Sequence, residues 1–278
     1  MLTIGDVLRT STEHLAGKGF EQPRLDAERL LAQALGMERV ELYMHLDRPL
    51  GDAELGTARR LLARRAGGEP LQYVLGEWGF RRLTLHVDRR ALIPRPETEV
   101  VVERCLALIG ASDAPRVLDV GTGTGAIALA IADEHPGARV TAVDVSEDAL
   151  ALARENVERT GLPVELRHHD LFDGLPGEGW DLVVSNPPYV REEELPSLPS
   201  GVVEWEPGVA LVGRGHTEGV VREAANVLRP DGALVLEVHE GAAAAVASLL
   251  EAEGFVEVRT TADLAGRDRV VEGRWSRP

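Results

Sequence analysis

Four consecutive residues, Asn186-Pro187-Pro188-Tyr189, combine a side-chain amide, rigid backbone carbonyls and an aromatic ring. Such a set suits a planar –NH2 group, because two acceptor oxygens can take its two protons while the ring stacks on its plane. The proline after Asn186 biases that residue toward extended backbone and so fixes where its amide points. The tetrapeptide therefore predicts a site that holds an amino group for a reaction.

A second group of residues lies earlier in the chain, in the turn Gly121-Thr122-Gly123-Thr124-Gly125. Its glycines let the backbone approach a ligand closely, and the N–H groups of the helix that follows face that ligand. Asp144 ends the next apolar run, where a carboxylate can accept hydrogen bonds from both hydroxyls of a ribose. Together these features predict an adenosine site.

The choice of cofactor is less direct, because the same glycines fit the dinucleotide pattern and so make a nicotinamide dehydrogenase a rival. Three details favour S-adenosylmethionine. Asp119, just before the turn, would attract an ammonium group but repel a pyrophosphate. The loop at Asn186 has no evident role in hydride transfer. Finally, Asp170-Leu171-Phe172 follows the next strand and puts a carboxylate and apolar side chains where an adenine ring would lie.

The amino-acid composition limits the classes of protein to which this chain can belong. The chain has 278 residues, 44% hydrophobic and 27% charged, which indicates a soluble globular protein of about two domains. No apolar run approaches the roughly 18 residues of a membrane span, and the first residues lack the features of a signal peptide. Cys105 is the single cysteine, so no internal disulfide and no Cys-rich metal site is expected. We therefore predict a cytoplasmic protein without membrane contact.

Charge and the remaining histidines exclude further classes. The formal net charge of −16 disfavours a nucleic acid as direct partner, because phosphate backbones repel such a surface. His168 and His169 are read as strand-end residues, and no spaced cluster of His, Asp and Glu predicts a metal.

The elements that must position these residues follow from periodicity. Residues 1–75 predict a small helical bundle, with Pro23 opening its second helix, Gly36 ending that helix and Asp52 capping the fourth. Residues 76–92 predict a β-hairpin that links two domains.

Residues 93–278 alternate strand and helix, which predicts a Rossmann-like, doubly wound and mostly parallel sheet of seven strands. The predicted helices are 100–109, 126–134, 146–160 with Ser146 as cap, 217–229 and 241–253. The predicted strands are 117–120, 140–144, 164–168, 181–185, 233–238 and two closing strands near 255–259 and 269–272.

Taken together, these motifs resemble the HemK/PrmC family, and the resemblance covers nearly the whole chain. The stretches that carry it are Pro70–Gly76, Ile93–Glu99 (Ile-Pro-Arg-Pro-Glu-Thr-Glu), Asp119–Ala128, Asn186–Tyr189 and Glu206–Leu211. The family methylates the side-chain amide nitrogen of the glutamine in the Gly-Gly-Gln motif of class I peptide chain release factors. The resemblance thus implies a class I S-adenosylmethionine-dependent methyltransferase. The N-terminal helical domain has no catalytic constellation of its own, so we expect it to dock the protein substrate, and we expect a monomer.

The resemblance also implies roles for individual residues. The sulfonium methyl of the cofactor would face Asn186. The substrate amide would donate one proton to the Asn186 carbonyl and one to the Pro187 backbone carbonyl, while Tyr189 packs on its plane. The implied catalytic residues are Asn186, Pro187 and Tyr189, and Pro188 joins them in binding substrate. The implied cofactor-binding residues are Asp119, Gly121, Thr122, Gly123, Thr124, Gly125, Asp144, Asp170, Leu171 and Asn186.

Two stretches depart from the family pattern. Residues 213–219 lack an acidic-Gly pair, and residues 239–242 lack a Gly/Gln pairing. Three other functions remain open. An adenine-specific DNA methyltransferase shares the tetrapeptide, since a flipped adenine also offers a planar –NH2. A ribosomal-protein glutamine methyltransferase would act on the same chemical group. A non-catalytic cofactor-binding adaptor would keep the glycine turn without needing the tetrapeptide.

Overall fold

The computed structural model describes residues 1–197 and 200–276, which divide into two compact units. The first comprises residues 1–77 and 200–205, and the second comprises residues 78–197 and 206–276. No helix in these described ranges is long and apolar enough to cross a membrane.

The helices of the described chain are, in order, α1 (Ile4–Gly17), α2 (Pro23–Leu35), α3 (Arg39–Met44), α4 (Asp52–Ala66), α5 (Leu71–Leu75), α6 (Thr98–Ile109), α7 (Ala126–Glu134), α8 (Glu147–Thr160), α9 (Ser200–Val203), α10 (Gly208–Leu211), α11 (His216–Val227) and α12 (Ala243–Glu253). Single 3-10 segments span Leu171–Asp173 and Glu192–Ser197. The strands are β1 (Glu77–Phe80), β2 (Leu83–His86), β3 (Arg116–Val120), β4 (Arg139–Asp144), β5 (Val164–His168), β6 (Trp180–Ser185), β7 (Leu228–Glu237), β8 (Phe255–Ala262) and β9 (Asp268–Trp275).

The first unit is the predicted helical bundle. Pro23 opens α2, and Gly36 ends it in the left-handed region at φ 62°, both as predicted. The predicted capping role of Asp52 is wrong, because Asp52 is already the first residue of α4. Gly51 occupies the cap, and its N–H donates to the Glu54 carboxylate at 2.9 Å.

The apolar faces of these helices meet in one core of leucines and smaller residues. An ion pair between Arg65 Nε and Asp26 Oδ2, at 2.8 Å, also joins α4 to α2. The guanidinium of Arg65 lies 4.1 Å from the ring centre of Phe20, so the same side chain covers the edge of that core.

The second unit contains the predicted mostly parallel sheet. Within the described residues its seven strands lie in the order β5-β4-β3-β6-β7-β9-β8. The neighbours from β5 to β7 run parallel, and β9 runs antiparallel to both β7 and β8. Because β3, β4 and β6 are parallel neighbours, their carboxyl ends share one edge of the sheet, which is where such folds bind ligands. The predicted fold class is confirmed.

The predicted β-hairpin is formed by β1 and β2. Its inward side chains Phe80 and Leu85 are fully buried in the same apolar cluster as α6 and α7. Arg81, at the turn with φ 51°, donates to the carboxylate of Glu134 on α7. The hairpin is therefore packed as part of the second unit and is more than a connecting segment.

One predicted boundary differs in an informative way. The helix predicted for residues 217–229 ends at Val227, and β7 already begins at Leu228. Pro230 explains the difference, because a proline disfavours helical backbone at the residue before it and clashes with the preceding turn. Leu228 instead pairs with Trp180 of β6.

Candidate active site

A cleft of about 1120 Å³, including its open mouth, lies in the second unit at the carboxyl ends of β3, β4 and β6. This is enough room for a nucleoside-sized ligand and part of a second molecule. Its lining brings both sequence-predicted groups together. The predicted residues that line it are Gly121, Thr122, Gly123, Thr124, Asp144, Asp170, Leu171, Asn186, Pro187 and Pro188.

The glycine turn is held by hydrogen bonds to β4. Gly121 N and Thr122 N both donate to the Val143 carbonyl, at 2.9 and 3.0 Å. Gly121, Gly123 and Gly125 have φ of 75°, 57° and 83°, so all three need the left-handed backbone that glycine tolerates. A Cβ on Gly123 would meet Ala91 at an ordinary 3.8 Å. The backbone conformation, more than crowding by protein atoms, therefore requires glycine there.

Asp119 lies beneath this turn and is fully buried. One carboxylate oxygen, Oδ2, accepts from the Thr122 hydroxyl at 2.6 Å, while Oδ1 is buried without a partner in the described structure. Burial raises the pKa of Asp119 to about 7. A buried carboxylate oxygen that lacks a donor suits an ammonium group, such as the one on the methionine part of S-adenosylmethionine.

Asp144 ends β4 beside the turn. Its Oδ2 accepts from Gly123 N and its Oδ1 from Ser146 N, both at 2.9 Å. Burial raises the pKa of this carboxyl. Each oxygen keeps a further lone pair, so the pair of ribose hydroxyls predicted from the sequence can still be accepted.

The end of the cleft near β5 carries the predicted adenine-side residues. Asp170 Oδ1 accepts from Phe172 N at 2.9 Å, which fixes the turn that places Leu171 in the lining. His216 also lines the cleft, and its ring packs against Phe172 at 5.1 Å between ring centres. Burial lowers the pKa of His216. His216 lies in the stretch 213–219 that departs from the family pattern, and its sequence position predicted no role for it.

Asn186 follows the last residue of β6 directly. Ser185, that last residue, donates its hydroxyl to the Val120 carbonyl at 2.7 Å, so the end of β6 is fastened to the end of β3. The Asn186 amide nitrogen donates to the Thr98 hydroxyl oxygen at 3.4 Å, and the Thr98 hydroxyl donates to Glu237 at 2.6 Å. Neither Thr98 nor Glu237 was singled out from the sequence.

Tyr189 occupies a different position from its cleft-lining neighbours. It is absent from the described lining, and its half-buried ring packs against His239 at 5.6 Å between ring centres. Burial raises the pKa of its hydroxyl. Its stacking on a substrate amide therefore remains a prediction. Asp119 and Gly125 are also absent from the described lining.

Two loops over the cleft are joined by an ion pair. Arg95, in the Pro-Arg-Pro stretch, pairs with Glu206, whose side chain is almost fully buried. Burial raises the pKa of Glu206 despite this pairing. Because Ile93 and Pro207 beside them line the cleft, the pair fixes the shape of its rim. The described residues contain no group of three or more His, Cys, Asp or Glu side chains placed to hold a metal.

Family models match two parts of the chain. The PrmC N-terminal domain matches residues 6–76, and the methyltransferase small domain matches residues 100–198. The second range holds the glycine turn, Asp144, Asp170 and Asn186.

Full-length relatives extend these matches. The release factor glutamine methyltransferase of Geobacter sulfurreducens is 44% identical over 98% of this chain and 96% of its own length. The protein of the same name from Chlorobaculum tepidum is 40% identical over 96% of this chain and 95% of its own. A 16S rRNA N2 G1207 methyltransferase of T. thermophilus, solved with AdoMet and guanosine, shares the fold at a TM-score of 0.52 and 20% identity, covering 72% of this chain and 50% of its own.

Proposed function

We propose, from the premise that this chain belongs to the release factor glutamine methyltransferase family, that it methylates the side-chain amide nitrogen of a release factor glutamine. The methyl donor is S-adenosylmethionine, and the glutamine is the one in the Gly-Gly-Gln motif of class I release factors. The observation that carries the proposal is the single cleft in which the Asn186 loop and the glycine turn meet.

The cofactor fits the residues of the second unit. When bound, S-adenosylmethionine supplies an electrophilic methyl group on a sulfonium centre. Asp119 would hold the ammonium through Oδ1, which has no partner in the described structure, and Asp144 would accept the ribose hydroxyls. Asp170 and Leu171 would contact the adenine side. The ammonium, the ribose and the adenine of one ligand would thus each have a carboxylate or an apolar side chain to contact. These side chains lie at or just after the ends of the neighbouring strands β3, β4 and β5.

Asn186 and Pro187 act on the substrate amide. An amide nitrogen is a weak nucleophile, since its lone pair is delocalised into the carbonyl. Acceptance of its two protons by the Asn186 side-chain carbonyl and the Pro187 backbone carbonyl would hold the nitrogen toward the methyl group that the cofactor supplies. The same two acceptors would stabilise the positive charge that develops on the nitrogen during transfer, and the nitrogen would then lose one proton to solvent.

The helical unit, residues 1–77 with 200–205, serves in this proposal to dock the protein substrate. Support comes from its lack of any sequence-predicted site residue, while a pair such as Arg65 with Asp26 joins two of its own helices. Support also comes from the match of residues 6–76 to the PrmC N-terminal domain. The proposed enzyme acts as a monomer and needs no direct contact with nucleic acid.

The test is transfer of a radiolabelled methyl group from S-adenosylmethionine into purified release factor. The matched control is the same factor with Gly-Gly-Gln changed to Gly-Gly-Ala, with ribosomal proteins and duplex DNA in parallel reactions. We expect label in the unchanged release factor and none in the three other substrates. Label in ribosomal protein or DNA with an unlabelled release factor would refute the proposed substrate.

A further inference from the structure

We infer that Thr98, held by Glu237, decides which end of the Asn186 amide faces the cleft, and that both are positioning residues for methyl transfer. The inference rests on the proposed function, because only a substrate –NH2 gives the orientation of Asn186 its importance. An amide is nearly symmetric in shape, so packing alone barely distinguishes its oxygen from its nitrogen. Hydrogen bonds must make that distinction.

The number of protons on the Thr98 hydroxyl determines whether the oxygen or the nitrogen of the Asn186 amide faces it. A threonine hydroxyl has one proton, and Thr98 gives that proton to Glu237 Oε2 at 2.6 Å. The oxygen of Thr98 is then left with lone pairs alone and can only accept. The Asn186 group that faces it must be the donor, Nδ2, at 3.4 Å. The Asn186 carbonyl consequently points away from the Thr98 oxygen, and both residues line the cleft.

The Glu237 carboxylate, which accepts the hydrogen bond from Thr98, is buried. Glu237 is 2% exposed at the end of β7, and Thr98 is 5% exposed at the start of α6. The charged and titratable groups that face Glu237 are Arg269 of β9, Arg95 and Glu97 of the loop before α6, and the Tyr189 hydroxyl of the loop after β6. Arg269 gives its hydrogen bonds to the Val238 carbonyl and to Asp263, at 3.3 and 3.5 Å. Thr98 therefore supplies the hydrogen bond that Glu237 accepts in the described structure.

Protonation of Glu237 would reverse the direction of the hydrogen bonds that run from Asn186 through Thr98 to Glu237. Burial raises the pKa of Glu237 to about 7, opposed by Thr98 and Arg269. Below that pH the carboxyl becomes a donor to the Thr98 oxygen, and the Thr98 proton becomes free to donate to Asn186. The amide then turns its nitrogen toward the cleft, where a donor meets the two donors of the substrate. Methyl transfer should fall as the pH drops through about 7.

The chain supplies a matched set of variants. Thr98→Val removes the hydroxyl and keeps the branched shape, whereas Thr98→Ser keeps the hydroxyl. Thr141→Val is the control, because Thr141 is also buried in the second unit and its hydroxyl also faces a glutamate, Glu165, at 3.2 Å. Thr141 lies in β4, away from the cleft lining.

The first measurement is single-turnover methylation of release factor at pH 8. We expect Thr98→Val to lower the rate about 10- to 100-fold, the usual effect of a misplaced reacting group. Thr98→Ser should stay within about threefold of wild type, and Thr141→Val should match wild type. Equal rates in Thr98→Val and wild type, or an equal loss in Thr98→Val and Thr98→Ser, would overturn the inference.

The second measurement follows the Asn186 side-chain NH2 by nitrogen-15 NMR and needs no turnover. We expect its protons to exchange with water faster in Thr98→Val than in wild type and Thr98→Ser. If the wild-type protein methylates no release factor but this difference is present, the proposed function fails while the positioning role stands. Identical exchange in all three proteins refutes the positioning role alone.

The third measurement is the pH dependence of the methylation rate in Glu237→Gln. It tests the positioning role even if Thr98→Val fails to fold. With S-adenosylmethionine saturating, so that ionisation of Asp119 in the cofactor-free protein does not contribute, the wild-type rate should rise with pH through an ionisation near 7, and Thr141→Val should keep that rise. Glu237→Gln should lose it, because the amide cannot ionise. A pH profile in Glu237→Gln identical to that of wild type would contradict the role assigned to Glu237.

Discussion

At the scale of single residues, Asp119 links cofactor binding to the stability of the free protein. Its pKa is about 7 in the folded chain against 3.8 for the ordinary carboxyl. Between these values the folded state binds the proton more tightly than the unfolded state does. The free energy of unfolding therefore falls as the pH rises from about 4 to about 7 and stays low above that. A bound ammonium would relieve this cost.

Asp119→Asn tests that link. Removing the buried charge should raise the free energy of unfolding of the cofactor-free protein at pH 8 by about 2–4 kcal/mol. Cofactor affinity should fall at the same time, because the neutral amide no longer attracts an ammonium. Urea denaturation and calorimetric titration with S-adenosylmethionine measure the two effects, with the exposed Asp47→Asn as control. A variant that keeps wild-type affinity would remove Asp119 from the cofactor site.

Asn186 is the residue on which the proposed chemistry depends most. Asn186→Ala should lower turnover by roughly 10²–10³-fold, the usual scale for one positioned polar group. Cofactor affinity should change less, since the glycine turn and Asp144 are untouched. Asn186→Asp keeps an acceptor but adds charge near a sulfonium, so we expect lower turnover with affinity retained. Single-turnover methylation beside a separate cofactor titration measures both. A near-normal rate in the alanine variant would show that this loop is not the active site.

At the scale of elements, α8 fastens the hairpin to the cofactor turn through one side chain. Asn156 is fully buried, and its Oδ1 accepts from His86 N at 2.7 Å. Its Nδ2 donates to the carbonyls of His86 and Thr124, at 3.0 and 2.9 Å. An asparagine amide with both ends satisfied thus holds β2 and the glycine turn at fixed distances from α8.

Asn156→Ala should lower the free energy of unfolding by about 2–4 kcal/mol, because it removes three hydrogen bonds to the backbone and leaves the buried Thr124 carbonyl without this donor. Loosening of the Thr124 carbonyl should also weaken cofactor binding. Thermal unfolding and calorimetry measure these losses. Asn226→Ala is the matched control, since Asn226 is exposed and bonds Glu223 at 3.3 Å. Similar losses in the two variants would contradict the bridging role.

At the scale of the whole molecule, the proposed division of labour gives the helical unit a docking face. Short α3 exposes Val40, Tyr43 and Met44, with 67%, 48% and 72% of their surface accessible. Their i, i+3, i+4 spacing places the three side chains on one side of the helix. Adjacent exposed apolar side chains are common where partners bind.

Val40→Asp and Met44→Asp test this face. Each should raise the Michaelis constant for intact release factor about 10-fold and leave that for a short Gly-Gly-Gln peptide unchanged, since a peptide reaches the cleft without docking. Steady-state methylation of both substrates gives the comparison. Leu264→Asp is the control, because Leu264 is fully exposed in the second unit. Equal changes for protein and peptide would instead indicate that the helical unit has a purely stabilising role.

Much of the fold and site follows from local sequence. The alternation of apolar runs with helical periodicity predicted the parallel sheet, and the carboxyl ends of its strands located Gly121, Asp144 and Asn186 at one edge. Ser146 as the cap of α8 and Gly36 as the end of α2 were also predicted. These features depend on one residue and its near neighbours, so a pattern of residue types suffices to predict them.

Tertiary structure alone decided the features that depend on residues far apart in the chain. Thr98 and Glu237 are separated by 139 positions, and their hydrogen bond exists because α6 packs beside β7. The raised pKa of Asp119 follows from complete burial, and Tyr189 lies outside the described cleft lining because its ring packs against His239. Which donor meets which acceptor, and how far a carboxylate is removed from water, are set when the elements pack together. The sequence determined which residues reach the sheet edge, and packing determined their partners and their protonation.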